Sequence, residues 1–344
     1  MFYPWPEIES FHHIRKYIRV DPTEWWRAQE ELHGTSVVHY QAKVKLHGTN
    51  SAVQLHEKGE IVCQSRENII TPEKDNAGFA RWAFSDKEKW YRAIDKAYVS
   101  GTAGVILYGE WIGPGIQRGV AVSEIPNKCF AVFAARPLVS GVATDDSLWV
   151  EPETLQEIVK GIPDVYVLPW HTTINIDWRQ TDEELTKSTA QINEWVLAVE
   201  ANDPWVEATF GVKGTGEGLV WYPTSTPHLG WENFQNLVFK TKGDKHKNIK
   251  TAAPAQVNAE SAASIDAFVE LVLTEARLEQ GARTVALTPG SYDMKQTGKF
   301  VSWVLADCEK ETQDELEASS LDWKQVQKAV SVYARTWYIN QCKK

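Results

Sequence analysis

The run Lys45-Leu-His-Gly-Thr-Asn50 joins a lysine to a tight glycine turn and a cluster of small polar side chains. An amine attacks only after losing a proton, which is rare near neutral pH at an ordinary lysine pKa of about 10.4. A second cation beside Lys45, either Mg²⁺ or another lysine, would lower that value and activate the nitrogen. Taken alone, the run reads equally well as a solvated strand lysine before a turn. Candidate cationic company lies far along the chain, where Leu237, Phe239 and Thr241 alternate with Val238, Lys240 and Lys242. That alternation sends both lysines to one face of a strand. There they would neutralise phosphate oxygens and stabilise transition-state charge, or simply form a basic edge that blocks sheet-to-sheet association.

Other chemistry-bearing residues carry the same double reading. Glu217 sits in the turn Thr215-Gly-Glu-Gly218 and Glu110 follows Gly109 at the end of an apolar strand. Each is placed for a functional carboxylate or for an ordinary surface acid. Arg66 reads as a phosphate contact or a surface ion pair, and Phe133, within an apolar run, reads as core. His47 has no second histidine or cysteine at ligand spacing, so it is expected to orient phosphate or metal-bound water rather than to ligate directly. Lys43 shares the face of Lys45 and is read as a neighbour.

The elements that must hold these residues follow from periodicity. Tyr40, Ala42, Val44 and Leu46 alternate with Gln41, Lys43 and Lys45, which predicts a half-buried strand with a polar face. Residues 51–64 read as a hairpin about Lys58-Gly59. Val105 to Trp111 reads as a strand ending at a Gly113-Pro-Gly115 turn, and Phe130 to Ala135 as a short buried strand. Thr181 with Glu184 three residues on predicts a capped helix with Leu185, Ile192, Trp195, Val196 and Val199 on its apolar stripe. Strands return at Gly218 to Tyr222 and at Leu237 to Lys242. The fold class expected is α+β, with mostly antiparallel sheets flanked by helices, because the regular alternation of a doubly wound parallel sheet is missing.

After Lys250 the composition changes. Residues 251–256 read as a linker, and the rest is helical by period through Ile265, Phe268, Val269, Val272 and Ala276, then Val301, Val304, Leu305 and Cys308, then Val326, Val330, Tyr333 and Trp337. Two domains are expected, 1–250 and a small helical one over 251–344, as the 344-residue length allows. The four cysteines are scattered without metal-ligand spacing and read as reduced thiols. No apolar stretch has the length of a membrane span or a leader, so a cytoplasmic protein is expected. The net charge of −10 argues against indiscriminate coating of nucleic acid, yet leaves room for a local basic groove such as Lys240, Lys242, Lys245, Lys247 and Lys250. The tryptophans, among them Trp25, Trp26 and Trp231, are read as core or edge residues.

In their order along the chain these segments resemble the RNA ligase 2 family of covalent nucleotidyltransferases. The resemblance rests on Lys45-Leu-His-Gly-Thr-Asn50, Ser65-Arg66-Glu67, Tyr108-Gly-Glu-Trp-Ile-Gly-Pro-Gly-Ile-Gln117, Phe130-Ala-Val-Phe133, Glu217-Gly-Leu-Val and Lys240-Thr-Lys242. It spans roughly residues 35 to 245. It implies an adenylyltransferase domain in which Lys45 becomes lysyl-AMP, Arg66 lies near the nucleotide, Glu110 contacts the ribose and Phe133 stacks on adenine. It further implies that Val44, Leu46 and Asn50 line the nucleotide, that Lys240 and Lys242 hold the α-phosphate, and that Glu217 and Glu110 serve the metal through water. Ala134 stands where the family often has an acid. The implied co-substrate is ATP with Mg²⁺ or Mn²⁺, the implied partner RNA as a nicked duplex or RNA–DNA hybrid, and the implied assembly a monomer. The helical domain is implied to touch the duplex or the departing pyrophosphate. Rival readings are a capping-type guanylyltransferase, a DNA ligase, and a catalytically silent nucleic-acid-binding module on the same fold. His47, where the first two usually carry Asp, favours RNA ligase.

Overall fold

Alternating apolar residues build the first unit of the chain. The computed structural model describes residues 1–11, 14–15, 37–57, 59–99, 104–143, 148–178, 180–224, 231–243, 261–286, 291–312, 316 and 321–343. Trp25, Trp26, Lys58, Lys245, Lys247, Lys250 and the 251–256 stretch lie outside them. The chain divides into two compact units, Met1–Gly243 and Asp244–Lys344.

The strands of the first unit are β1 (Glu9–Ser10), β2 (Val37–Lys45), β3 (Thr49–His56), β4 (Ile61–Ser65), β5 (Ile69–Ile70), β6 (Gly104–Ile112), β7 (Cys129–Val139), β8 (Val142–Ala143), β9 (Val165–Val167), β10 (Thr172–Asp177), β11 (Gly218–Pro223) and β12 (Phe239–Lys242). One sheet has the order β1-β12-β11-β2-β10 and the other β5-β4-β3-β6-β7-β8, with β9 also pairing β7. Pairing is antiparallel except β1 with β12 and β9 with β7. This is the expected mixed architecture of mainly antiparallel sheets and helices.

One apolar cluster draws Tyr40, Ala42, Val44, Leu219 and Trp221 from the first sheet together with Ala52, Tyr108, Ala131 and Phe133 from the second. The other faces of β6 and β7 send Leu107, Phe130 and Val132 into a second cluster. Among the described residues, α1 (Phe79–Ser85), α2 (Tyr91–Val99) and α3 (Pro152–Val159) contribute to that second cluster. Next comes α4 (Asp182–Ala201), whose Thr181–Glu184 capping box forms as the spacing predicts. It buries Leu185, Ile192, Val196 and Val199, with Trp195 half-buried. A short α5 (Pro204–Phe210) follows, capped by Asp203. α6 (Trp231–Leu237) then precedes β12, so Leu237 ends a helix rather than opening a strand. The apolar run Leu237-Val-Phe fits either element, and only the pairing of Phe239 with Trp221 decides where the strand begins.

The polar face expected for β2 needs a correction at Lys43, which has no exposure at all. Its ammonium donates to the carbonyl oxygens of Phe133 at 2.8 Å and Val150 at 2.6 Å. It also lies over the rings of Trp170 and Tyr222, 4.6 and 5.4 Å from their centroids. Carbonyl oxygens and ring faces together replace the water a buried cation loses. Burial still pushes the Lys43 pKa down from 10.5 to about 7, against the opposing pull of Glu151 and Glu153. Between those values the unfolded chain holds a proton that the folded chain lacks, so this residue makes stability rise with pH across that window. The slope is at most about 1.4 kcal/mol per pH unit, the value for one proton. Denaturant unfolding of wild type and Lys43→Met at several pH values above neutrality should show the variant lacking this component.

The second unit comprises α7 (Ser261–Val272), α8 (Glu275–Val285), α9 (Thr297–Glu311) and α10 (Trp323–Cys342). Phe268, Val269, Val272, Val301, Val304, Cys308, Val326 and Val330 are buried, as their spacing predicts. Two details differ. The first helix stops at Val272 and Thr274 caps the next, so Ala276 belongs to α8. The stripe of α10 continues through Ala334 and Tyr338, leaving Tyr333 45% exposed. Among the described residues no helix is long and apolar enough to cross a membrane.

Candidate active site

Sheet order delivers Glu217 between two lysines. Because β11 lies between β2 and β12, Gly218 is opposite Lys45 on one side and Lys242 on the other. Glu217, one residue earlier, reaches both ammonium groups. Lys45 Nζ donates to Glu217 Oε2 at 2.8 Å, and Lys242 Nζ stands 3.5 Å from Oε1. His47 Nδ1 lies 3.4 Å from Oε2. Position 218 must be glycine: its φ is +149°, and a Cβ there would stand 2.1 Å from the Thr241 carbonyl oxygen.

Glu217 is 3% exposed. Burial opposes its charge, but Lys45, Lys242 and His47 outweigh burial and hold its carboxyl well below the usual range. Burial would likewise lower the Lys45 pKa, yet the carboxylates of Glu217 and Glu110 prevail and raise it. The resting amine is therefore protonated. Here neighbouring carboxylates set its state, whereas the expected activation required a cation beside it. Burial pushes Glu110 up to about 7, with Lys45 pulling the other way.

Glu110 is tied to the lysine turn through the main chain. Its Oε1 accepts from Gly48 N at 3.1 Å, while Gln117 Nε2 donates to Gly48 O at 3.1 Å. A Cβ on Gly48 would stand 2.5 Å from Trp111 O and 2.6 Å from Ile112 Cγ2. Gly48→Ala should therefore push the turn off β6 and lower the melting temperature by several degrees, about 1–3 kcal/mol of overpacking. Calorimetry measures this; an unchanged melting temperature would show that the turn has slack.

Of the remaining candidates, Asn50 is paired across from Glu110 on β3. Val44 and Leu46 are buried at 4% and 3% exposure, which leaves only their main chain for a nucleotide. Phe133 is 8% exposed and meets Trp5 edge to face at 4.9 Å. Arg66 is half exposed, 3.9 Å from Glu7, yet its charge reaches both Lys45 and Glu110. Lys240 lies on β12 opposite Val220 and is half-buried. The structure thus gathers Lys45, His47, Glu217, Lys242 and Glu110 closely, with Arg66 at longer range. Sequence reasoning assigned no task to Gln117, although it quoted the segment, nor to the bond from Asn76 Nδ2 to Thr49 Oγ1 at 2.8 Å.

Among the described residues no three His, Cys, Asp or Glu side chains converge as a metal cage. Glu217 and Glu110 still fit a hard cation such as Mg²⁺, which keeps several waters and takes one or two carboxylates plus phosphate oxygens. A cleft of about 530 Å³ lined by Trp82, Trp111, Arg81 and Lys128 lies on another side of β6 and does not include Lys45.

Comparison with known proteins bears on this constellation. No curated protein matches the chain. Solved structures similar to it include point mutants of Naegleria gruberi RNA ligase: an apo form at 18% identity and TM-score 0.40, one with ATP and Mn at 18% and 0.39, and one with AMP and Mn at 18% and 0.40. Each match covers 71% of this chain and 56% of the solved one. The family model described as RNA ligase matches residues 38–242, a segment that starts within β2, ends at Lys242 and includes every close-set residue above. With well over half of its length matched, the chain belongs to the RNA ligase family.

Proposed function

We propose that this protein is an ATP-dependent RNA ligase that seals 5′-phosphate to 3′-hydroxyl ends through a covalent lysyl-AMP. The observation that carries the reading is the triad in which buried Glu217 joins half-buried Lys45 and Lys242 at 2.8 and 3.5 Å. Mere nucleic-acid binding needs no such set.

In the first step the Lys45 nitrogen attacks the α-phosphorus of ATP, the bond to pyrophosphate breaks, and a nitrogen–phosphorus bond holds AMP. An oxygen of a 5′-phosphate then displaces Lys45, leaving an adenylylated end. The 3′-hydroxyl attacks that end, forms the phosphodiester and expels AMP. Each displacement is in line with a good leaving group, so the protein's task is positioning and charge stabilisation.

Glu217 Oε2 fixes the direction of the Lys45 amine and lies within reach of its proton. Lys242, and Lys240 on the same strand, neutralise α-phosphate oxygens. Phe133 supplies the ring face for adenine, with Val44, Leu46 and Asn50 around the nucleotide. Arg66 offers positive charge toward the phosphates, and Glu110 reaches the ribose. Glu217 and Glu110 would hold Mg²⁺ or Mn²⁺ through water, which when bound would supply positive charge that offsets both carboxylates and so would lower the Lys45 pKa. The Naegleria enzymes solved with ATP or AMP and Mn support that choice of nucleotide and metal. Residues 1–250 are assigned to adenylyl transfer and 251–344 to the nucleic-acid or pyrophosphate side of the reaction. The substrate proposed is RNA as a nicked duplex or RNA–DNA hybrid, acted on by a cytoplasmic monomer.

Nick sealing tests the reading. Labelled nicked substrates with ribose or deoxyribose on each side of the break, supplied with ATP or GTP and Mg²⁺, should be sealed with ATP when the 3′-hydroxyl strand is RNA. Sealing only of all-DNA nicks, or labelling by GTP alone, would reject it.

A further inference from the structure

A bulge in β7 sits at the residue proposed to face adenine. Tyr108 pairs with Ala134 and Gly109 pairs with Val132, so Phe133 is the extra residue between them. Bulges drop one residue from the ladder and re-aim its side chain, and they recur beside active sites. The carbonyl oxygen of Phe133 then needs a donor from elsewhere, because a buried, unpaired carbonyl is costly. Lys43 provides it, at 2.8 Å. The same ammonium donates to Val150 O at 2.6 Å, next to the bridge between Trp149 and Ala135 that flanks the bulge on the far side. Gly109 completes the arrangement, since a Cβ there would stand 2.5 Å from the Phe130 ring and 2.6 Å from Ala131 O.

Lys43 and Lys45 occupy one face of β2, two residues apart. One strand therefore presents the proposed nucleophile and, a step away, an amine that grips the main chain of the proposed adenine platform. We propose that Lys43 is a positioning residue of the ligase: by holding the β7 bulge it fixes Phe133 relative to Lys45, so that the base and the α-phosphate of one nucleotide meet both. The proposal rests on the adenylyl-transfer reading above. Apart from its pairing to two carbonyls, Lys43 faces Glu151 and Glu153 electrostatically and the rings of Trp170 and Tyr222. No group among these is one of the reacting atoms, so its influence passes through Phe133.

The experiment measures KM for ATP and kcat of lysyl-AMP formation in the full chain, with melting temperature alongside. Lys43→Met should raise KM by about tenfold or more with kcat within about threefold of wild type, the pattern of lost nucleotide positioning. Lys43→Arg, which keeps the N–H donors, should recover most of the affinity. Val38→Ala, a cavity in the same strand away from Phe133, should lower the melting temperature without moving KM. If Lys43→Met does not fold, Lys43→Gln, able to reach one carbonyl, should show a smaller rise in KM. An unchanged KM in folded Lys43→Met or Lys43→Gln, or a Val38→Ala rise equal to that of Lys43→Met, overturns the proposal. A wild-type protein that forms no adduct overturns the adenylyl-transfer reading and this one with it, which separates the two failures.

Discussion

Lys45→Ala is expected to form no covalent adenylate. Incubation with α-labelled ATP and Mg²⁺ followed by denaturing electrophoresis should label wild type and leave the variant blank, a loss on the order of 10⁴-fold or more. Lys242 and His47 share the Glu217 carboxylate, but neither stands where Lys45 does, hydrogen-bonded to Oε2 at 2.8 Å at the mouth of the Gly48 turn. The variant should still join a nick whose 5′ end is already adenylylated, because the attack of the 3′-hydroxyl needs no amine nucleophile. A labelled adduct surviving in Lys45→Ala would remove Lys45 from its role. Loss of sealing on the adenylylated nick as well would instead mark damage to the whole site.

Glu217→Gln should cost about 10²–10³-fold in the rate of adenylate formation, the range for losing one preorganised electrostatic partner. Two effects oppose each other. Removing the carboxylate lets burial depress the Lys45 pKa, which frees more amine. Against that, the direction of the amine is lost, Lys242 and His47 lose their counter-ion, and the carboxylate best placed for a cation is gone. The second group is larger, because the directing hydrogen bond and the shared counter-ion of two lysines are lost together. Single-turnover labelling, with melting temperature beside it, measures both. A rate within threefold of wild type together with a lower melting temperature would reduce Glu217 to a structural role.

The amine and the turn were legible because they are local: alternation from Tyr40 to Leu46 and the Gly48 turn can be read within ten residues. The meeting of Lys45 with Glu217 was not, since it depends on β11 pairing with β2 in the register that sets Gly218 against Lys45. Order along the chain pointed to Glu217 only through resemblance. Lys43 departs from the polar face expected of its strand for a physical reason. Alternation assigns a face but not what covers that face, and here Phe133, Val150, Trp170 and Tyr222 close over it. The β7 bulge is invisible to periodicity, which treats Phe130 to Ala135 as regular. The helices that begin at Pro152 and Pro204 did leave a signal, proline at the first helical position, with an aspartate cap before the second. Their short length hid them.

The central place of β11 has a consequence for the life of the molecule. Lys45 is made early in synthesis, and its carboxylate partner is 172 residues further on. Pairings so distant in sequence close late in folding. On the proposed reading, a chain still emerging from the ribosome would hold Lys45 without its carboxylate partner, and adenylyl transfer would wait until β11 docks beside β2.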